Sequence, residues 1–488
     1  MGDVVSWEQV RPHREDVFMT STVIRRTGAA SEPATHAGTV VIIGGGASGV
    51  LAACALIRCP DYRIVLIEPG ATPGPGVAYG TARPWHLLNS RAAAMSADPG
   101  DPQHLLRWSH ARGLPLDPAD FLPRAHYGAY LADRFTHALG SGRLDHRRAT
   151  ATAVRPYGDG HLVLDDTGAA TYADHVVLAL GNPPPHRPVG ISDAASDSGA
   201  YIGDPWAPGA LDSVPRDQPV LLLGAGLTAI DVALTLTERE RSSEFERASE
   251  RERGRRTPLD LISRRGLLPL AHPDRPPAPI DLDLPASRDL APLLRAVRAA
   301  VAAGADWTAV VDAVRCRADD LWTGLDHAAQ DRFLRHCQRL WEIHRHRMAP
   351  AVAARVDRLR RAGDLRVRAG RISSVDPHPA GGLTVTINGE TPRWYATVIA
   401  CTGPAPAPVT PGPLLGALLD EGLLRPGPHR RGLDIDADGR AGPGLWLIGP
   451  LSRGHLWETT AIPEIRRQAE RLATAVNTSR ARSAPTTV

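Results

Sequence analysis

Short, continuous apolar runs mark the strands of this chain. Val40-Val41-Ile42-Ile43, Ile64-Val65-Leu66-Ile67, Val220-Leu221-Leu222-Leu223 and Leu259-Asp260-Leu261-Ile262 are almost wholly apolar. Runs of that kind suit strands covered on both faces, as in a parallel sheet. Segments with helical spacing follow the first and third of them, at 48–56 and 229–236. Further strands are expected at 176–180, 397–401 and 445–448, and a last helix near Pro463, with proline in its first turn. Strand, helix and strand, occurring twice, predict an α/β fold with two parallel-sheet units. Between 284 and 362 the pattern becomes helical, for example at 290–303 and 331–348, which predicts a helical insert in the second unit.

What joins strand to helix gives the units their chemistry. Gly44-Gly45-Gly46-Ala47-Ser48-Gly49 follows the first strand, and Gly224-Ala225-Gly226-Leu227-Thr228-Ala229 follows that at 220–223. A diphosphate must approach the backbone closely, so such a loop dispenses with side chains, and the amides at the next helix start face the anion. Gly44 permits the turn, Gly46 the approach, and Gly49 the packing of helix on sheet; Gly224, Gly226 and Ala229 repeat the scheme. Glu68 ends the strand at 64–67, 19 residues after Gly49, where an acid is expected to accept hydrogen bonds from a ribose. The matching strand of the second unit ends in Ser263-Arg264-Arg265. Arginine binds a 2′-phosphate that a carboxylate would repel, so NADPH is expected there rather than NADH. The first loop is expected to hold FAD.

Composition narrows the rest. With 43% hydrophobic and 22% charged residues the chain is ordinary for a globular protein, and 488 residues imply two or three domains. A net charge of +3 demands neither nucleic acid nor an anionic membrane surface. No apolar run approaches the roughly 18 residues of a membrane span. The region 1–37 lacks the apolar stretch of a secretory signal and is expected to be a disordered tail. Five scattered cysteines suit a cytoplasmic location, and the nearest pair, Cys54 and Cys59, reads as core rather than as a thiol–disulfide centre. His344 and His346, two apart, would face different sides of a helix, so no metal site is expected.

Several motifs carry a family resemblance. They are Gly74-Pro75-Gly76-Val77-Ala78-Tyr79-Gly80, Trp85-His86-Leu87-Leu88-Asn89, then Met95-Ser96 and Asp101-Pro102, and residues 449–460, which read Gly-Pro-Leu-Ser-Arg-Gly-His-Leu-Trp-Glu-Thr-Thr. Over about 38–478 the chain resembles the two-dinucleotide flavoproteins, which include flavin-containing monooxygenases and the lysine and ornithine N-hydroxylases. It is more closely similar to a bacterial family described as FAD/NAD(P)-binding proteins. The resemblance implies a discontinuous FAD domain at 38–200 and 396–480. An NAD(P)H domain at 201–395 would be inserted into it, with the helical insert at 284–362 and a short tail at 481–488.

It also implies site residues. Asn89 resembles an asparagine that lies beside the flavin and the nicotinamide, and His86 of the same motif is expected at the cofactor. Gly181 and Gly403 resemble the turns closing each unit, and Gly449 a turn at the flavin. Pro450 stands where many relatives carry the aspartate that holds the ribityl chain. Trp457 and Glu458 are expected to line the substrate side, Glu458 as an acid–base group. Residues 121–124 resemble a structural segment, with Arg124 near a phosphate. The insert is expected to cover the site, with His344 or Arg347 reaching the substrate. A Baeyer–Villiger fingerprint is incomplete, because its histidine is missing after Trp206.

The implied activity is an FAD-dependent monooxygenase that consumes NADPH and dioxygen and oxygenates a small molecule, such as an amine, through a hydroperoxyflavin. Two alternatives stand beside it: a reductase or dehydrogenase serving a quinone or a protein, and a nicotinamide redox sensor without turnover. A homodimer is left open.

Overall fold

Each glycine loop follows the central strand of a parallel sheet. The computed structural model describes residues 38–242, 258–405 and 412–481. The expected N-terminal tail, all but one residue of the C-terminal one, and most of a mixed Glu/Arg/Ser run at 238–256 lie outside the described residues.

The first sheet runs, edge to edge, Arg440–Gly442, Leu445–Leu447, His175–Leu178, Gly38–Ile43, Tyr62–Ile67 and Leu144–Arg147. All pairs are parallel except that of the edge strand Arg440–Gly442. The second runs Leu365–Ala369, Leu259–Ser263, Val220–Leu223, Thr397–Ala400 and Tyr201–Ile202, parallel throughout. Their cores share one topology: the strand before the glycine loop has the next strand on one side and the closing strand on the other. In both, a small antiparallel three-stranded sheet forms the connection to the closing strand, at 151–173 and at 372–395. Nothing at sequence level announced these two meanders. The closing strand Thr397–Ala400 pairs with Val220–Leu223, so it belongs to the second sheet and the expected boundary at 396 falls one strand early.

Helix Ala47–Leu56 has eight of its ten residues buried and no polar face. It packs between the sheet and helices Arg124–Leu139 and Ile462–Ala481, which explains the near-uniform apolar sequence after Gly49. In the second unit, Pro350–Arg361 buries Val352, Ala353 and Val356 in the core that contains Val220 and Leu222. It therefore serves the sheet rather than the insert in which it was expected. The insert comprises Leu290–Ala302, Trp307–Cys316, Ala318–Gly324, His327–Arg332 and Gln338–Arg345. The continuous helix expected at 331–348 is broken by a π-helical turn, Phe333–Cys337, and stops at Arg345.

Candidate functional site

The loop glycines divide into two physical classes. A Cβ on Gly49 would sit 1.9 Å from the Gly44 carbonyl oxygen, one on Gly44 2.5 Å from that of Ala179, and one on Gly224 2.2 Å from that of Cys401. Gly44 and Gly224 also have φ of +103° and +122°. These glycines are required by packing and turn geometry. Gly46 meets only the Gly76 Cα, at 3.8 Å, while Gly181, Gly226 and Gly403 meet nothing within 4 Å. Space therefore lies over one loop glycine and one closing-strand glycine in each unit, as a cradle for a dinucleotide requires. No side chain caps helix Ala47–Leu56, so its first amides remain for an anion.

Around the first cradle, Glu68 accepts from the Gly45 amide at 2.7 Å and the Gly70 amide at 3.0 Å, one bond per oxygen. The carboxylate is thus fixed at its strand end with acceptor capacity left for a ribose hydroxyl. Gly449 has φ +90°, and a Cβ there would meet Ser48 Oγ at 2.4 Å. Its amide donates to Gln468 Oε1 at 2.8 Å. Buried Gln468 Nε2, Ser452 Oγ and Thr459 Oγ1 have no protein partner, leaving a short polar rim beside this cradle that FAD can satisfy.

At the second cradle, Thr228 stands in the first turn of helix Leu227–Ser242, and Arg264 and Arg265 are exposed at the end of strand Leu259–Ser263. Ser263 Oγ accepts from the Gly266 amide at 3.1 Å and shapes that turn. Arg339, from the insert, donates to the Ala225 carbonyl at 2.9 Å and to that of Leu267. Burial lowers the pKa of Arg339, and the nearby Arg264 and Arg265 lower it further. The three guanidinium groups form one positive field over the loop, of which the sequence revealed two.

His86 and Arg124 do something else. The His86 ring accepts from the Arg83 amide at Nδ1, 3.1 Å, and its Nε2 lies 2.9 Å from Thr235 Oγ1 and 3.2 Å from the Asp231 carbonyl. Both nitrogens are thus engaged by protein, with Thr235 and Asp231 on the helix that follows the second glycine loop. Arg124 Nη1 pairs with Asp231 Oδ2 at 2.6 Å in a largely buried contact and donates from Nε to the Leu87 carbonyl at 3.1 Å. The Trp85–Asn89 motif and Arg124 thus join the two units. Asn89, the last residue of the motif, is half-buried, and its carbonyl lies 3.0 Å from His272 Nε2.

Glu458 and Trp457 meet the insert. Buried Glu458 accepts from Trp341 Nε1 at 2.9 Å and lies 3.4 Å from Arg345 Nε. Trp457 packs against Trp322 at 4.9 Å and Phe333 at 5.0 Å between ring centroids. Together with Trp341, Glu342, His346, Arg453, Thr459 and Thr460, these two residues wall a small polar cavity just ahead of helix Ile462–Ala481. Three arginines of the insert stand behind it, Arg345 and Arg347 buried and Arg315 half-buried. Arg315 pairs with Glu464 at 2.6 Å, Arg345 with Glu458, and Arg347 with Asp312 at 2.5 Å. Nε and one terminal nitrogen of both Arg345 and Arg347 remain without a hydrogen-bond acceptor. Of the two residues expected to reach the substrate, His344 instead bonds the Leu340 carbonyl of its own helix and packs on Trp307, and Arg347 pairs with Asp312. The cavity-facing residue is His346. Within 341–347, Trp341 and Arg345 meet Glu458 more than a hundred positions away, whereas Arg347 pairs with Asp312 only 35 positions away.

Two half-buried imidazoles border this region. Burial, reinforced by Arg347, lowers His272 to about 4, and burial, reinforced by Arg345, lowers His346 to about 3. Both are neutral at pH 7. An unfolded chain takes up their protons near pH 6.5, before the folded one does, so their stabilisation is complete above that pH. It is lost as pH falls through the window from 6.5 towards 4 for His272 and towards 3 for His346. Thermal melts from pH 7 to 4 should show a shallower loss for His272→Gln than for the parent protein. Parallel curves would contradict the assignment.

The cysteines offer no redox pair. Cys59 is buried and Cys54 half-buried beside the first helix, and burial pushes the Cys54 thiol up to about 11. Cys401 is buried behind Gly224, and its thiol is raised by burial as well.

Comparison with known proteins agrees with this geometry. Residues 41–183 match the family described as FAD-NAD(P)-binding. An uncharacterized protein of Mycobacterium tuberculosis is 26% identical, with 72% of each chain covered. Among solved structures, the L-lysine 6-monooxygenase of Pseudomonas syringae aligns with a TM-score of 0.62 at 16% identity, over 91% of this chain and 100% of that one. The bacillithiol disulfide reductase of Bacillus cereus aligns with a TM-score of 0.53 at 14% identity, over 91% and 99%. These likenesses establish the fold, two dinucleotide-binding domains in one chain, which hosts more than one chemistry.

Proposed function

We propose that this chain, a member of the FAD-NAD(P)-binding family through residues 41–183, is an FAD-dependent NADPH oxidoreductase that acts as a single-component monooxygenase on a small molecule, with an amine as the leading substrate class. The observation that carries the reading is the pair of open glycine cradles, over Gly46 and Gly226, in one chain. One holds FAD and the other the hydride donor, and FAD supplies hydride acceptance and reaction with dioxygen. The balance is NADPH, a proton, dioxygen and R–NH2 giving NADP+, R–NHOH and water.

The chain's own residues supply binding and enclosure. Glu68, the first-cradle amides and the rim of Ser452, Thr459 and Gln468 hold FAD. Arg264 and Arg265 hold the 2′-phosphate, and Asn89 stands at the junction of the units. The insert closes the cavity at Glu458, where Trp341 and Trp457 exclude water and the charged groups meet a polar substrate. Two observations favour oxygenation over disulfide reduction: the higher likeness to an amine monooxygenase, and cysteines whose thiols burial keeps protonated.

The test is a rapid-mixing experiment joined to a product balance. Protein reduced by NADPH is mixed with oxygenated buffer, and hydrogen peroxide and hydroxylated product are counted against NADPH consumed across a panel of amines. A slow return of the oxidised flavin spectrum, with product matching NADPH for one amine, is expected. Immediate reoxidation with rapid electron delivery to a quinone or protein would replace the reading with a reductase. Failure of either nicotinamide to reduce the flavin would leave a sensor.

A further inference from the structure

A second side-chain cluster lies outside the cofactor cradles, at His327, Asp331 and His429. We propose that His327, Asp331 and His429 form a divalent transition-metal site, of the Zn2+ type, that ties the helical insert to the segment carrying residues 428–430. His327 and Asp331 lie one turn apart on helix His327–Arg332, and His429 comes from a different part of the chain. One donor atom from each lies within 4.8 Å of the others.

The hydrogen bonds around His429 define what the cluster lacks. Gln330 Nε2 donates to the Trp322 carbonyl at 2.8 Å, which turns Gln330 Oε1 towards His429. That oxygen lies 2.8 Å from His429 Nε2, so Nε2 carries the proton and donates. The remaining ring nitrogen, Nδ1, faces Asp331 Oδ1 at 2.7 Å. In the neutral tautomer two lone pairs oppose each other across that gap, so a cation belongs between them, either a proton or a metal ion. A ring nitrogen whose other N–H is fixed by a carbonyl is the usual setting of a metal-bound histidine.

A third donor distinguishes the two cations. His327 Nδ1 is 3.6 Å from Asp331 Oδ2, and its ring lies over that of His429 with centroids 4.1 Å apart. Ligands about 2.1 Å from one tetrahedral ion stand about 3.4 Å apart, and the separations of 2.7 and 3.6 Å bracket that spacing. The His327 side chain is 71% exposed and free to swing its lone pair onto the ion, whereas the His429 side chain is 3% exposed and already fixed. Two imidazoles and one carboxylate select Zn2+ and its neighbours over Ca2+ or Mg2+, with water completing the shell on the open side.

The site would brace the cavity wall from outside. His429 packs on Trp322, which donates to the Gly454 carbonyl at 2.9 Å and packs on Trp457. The left-handed backbone at His429 and Arg430, φ +56° and +54°, points the imidazole into the insert.

The test uses tag-free, full-length protein stripped with chelator and then titrated with Zn2+ by calorimetry and with Co2+ by visible absorption. One ion per chain, a tetrahedral Co2+ spectrum and a melting temperature higher by a few degrees with Zn2+ are expected. His327→Ala, at an exposed position, and Asp331→Asn should each weaken uptake by roughly tenfold or more, while flavin content stays unchanged. No stoichiometric uptake by the parent protein, or equal uptake by both variants, would overturn the proposal and leave a proton as the cation between His429 and Asp331.

Discussion

Gly46→Val protein is expected to fold normally and to purify without flavin, whereas Gly49→Ala protein should fail at the folding step. The two glycines are three residues apart in one loop, yet they answer to different forces. Gly49 lies where its helix crosses the Gly44 carbonyl, and a methyl group there would be 1.9 Å from that oxygen and 3.6 Å from the Ala179 Cβ. Neither neighbour is the end of a flexible side chain, so helix and strand must separate. Core overpacking typically costs about 1–3 kcal/mol and more where backbone must move, a large share of a total stability of about 5–15 kcal/mol. Gly46 has φ −71° and ψ −169°, a conformation open to any residue, with 3.8 Å to its one near neighbour. Valine there costs the folded chain little but fills the volume into which a diphosphate must come. Far-UV spectra, thermal melts and flavin absorbance per chain check both. A Gly46→Val protein that retains a full complement of flavin would show that the diphosphate does not lie over this residue.

The same contrast explains how much was legible in the sequence. The glycine loops, their strands and the acid and arginine endings are local features, set by chain stiffness and apolar runs over fewer than thirty residues, and each stands where the pattern placed it. The family resemblance also assigned a role to His86, but the role depends on its partner, Thr235, 149 positions away. Asp231 carried no signal, sitting inside an apolar helix start, yet it pairs with Arg124 and joins the two units. The Glu458 site shows the same limit. The residue was visible through its motif, whereas Arg345 and Trp341, which fix its carboxylate, lie over a hundred residues earlier in a helix broken by a π turn. The outer strands of the two meanders escaped because they alternate weakly and are largely exposed, as at Ala151–Tyr157 and Ile372–Pro377. Packing between distant segments selects such partners, and one chain read locally does not record it.

Changing Arg264 and Arg265 together to alanine should convert a protein that prefers NADPH into one that treats the two nicotinamides alike. Both side chains are exposed at the end of the strand beside the second cradle, close enough to lower the pKa of Arg339. Arg339 is committed to the Ala225 and Leu267 carbonyls, which leaves the other two to meet a 2′-phosphate. Hydrogen bonds to charged groups contribute about 1.5–3 kcal/mol each, and exposure discounts the pair towards a total near 3 kcal/mol. That corresponds to roughly 100-fold in the dissociation constant for NADPH. NADH lacks the phosphate, so its binding should change little, and the flavin, held in the other unit, should be retained. The salt dependence of NADPH binding should weaken in parallel, because the lost contacts are ionic. Flavin reduction followed at several NADPH and NADH concentrations, at low and high salt, reads all of these. An equal loss with both nicotinamides would place the arginines in the scaffold of the loop, and no loss with either would move the 2′-phosphate elsewhere. The expected split rests on one difference between two related cradles: the first strand end offers the Glu68 carboxylate to a ribose, and the second offers guanidinium groups at the corresponding place.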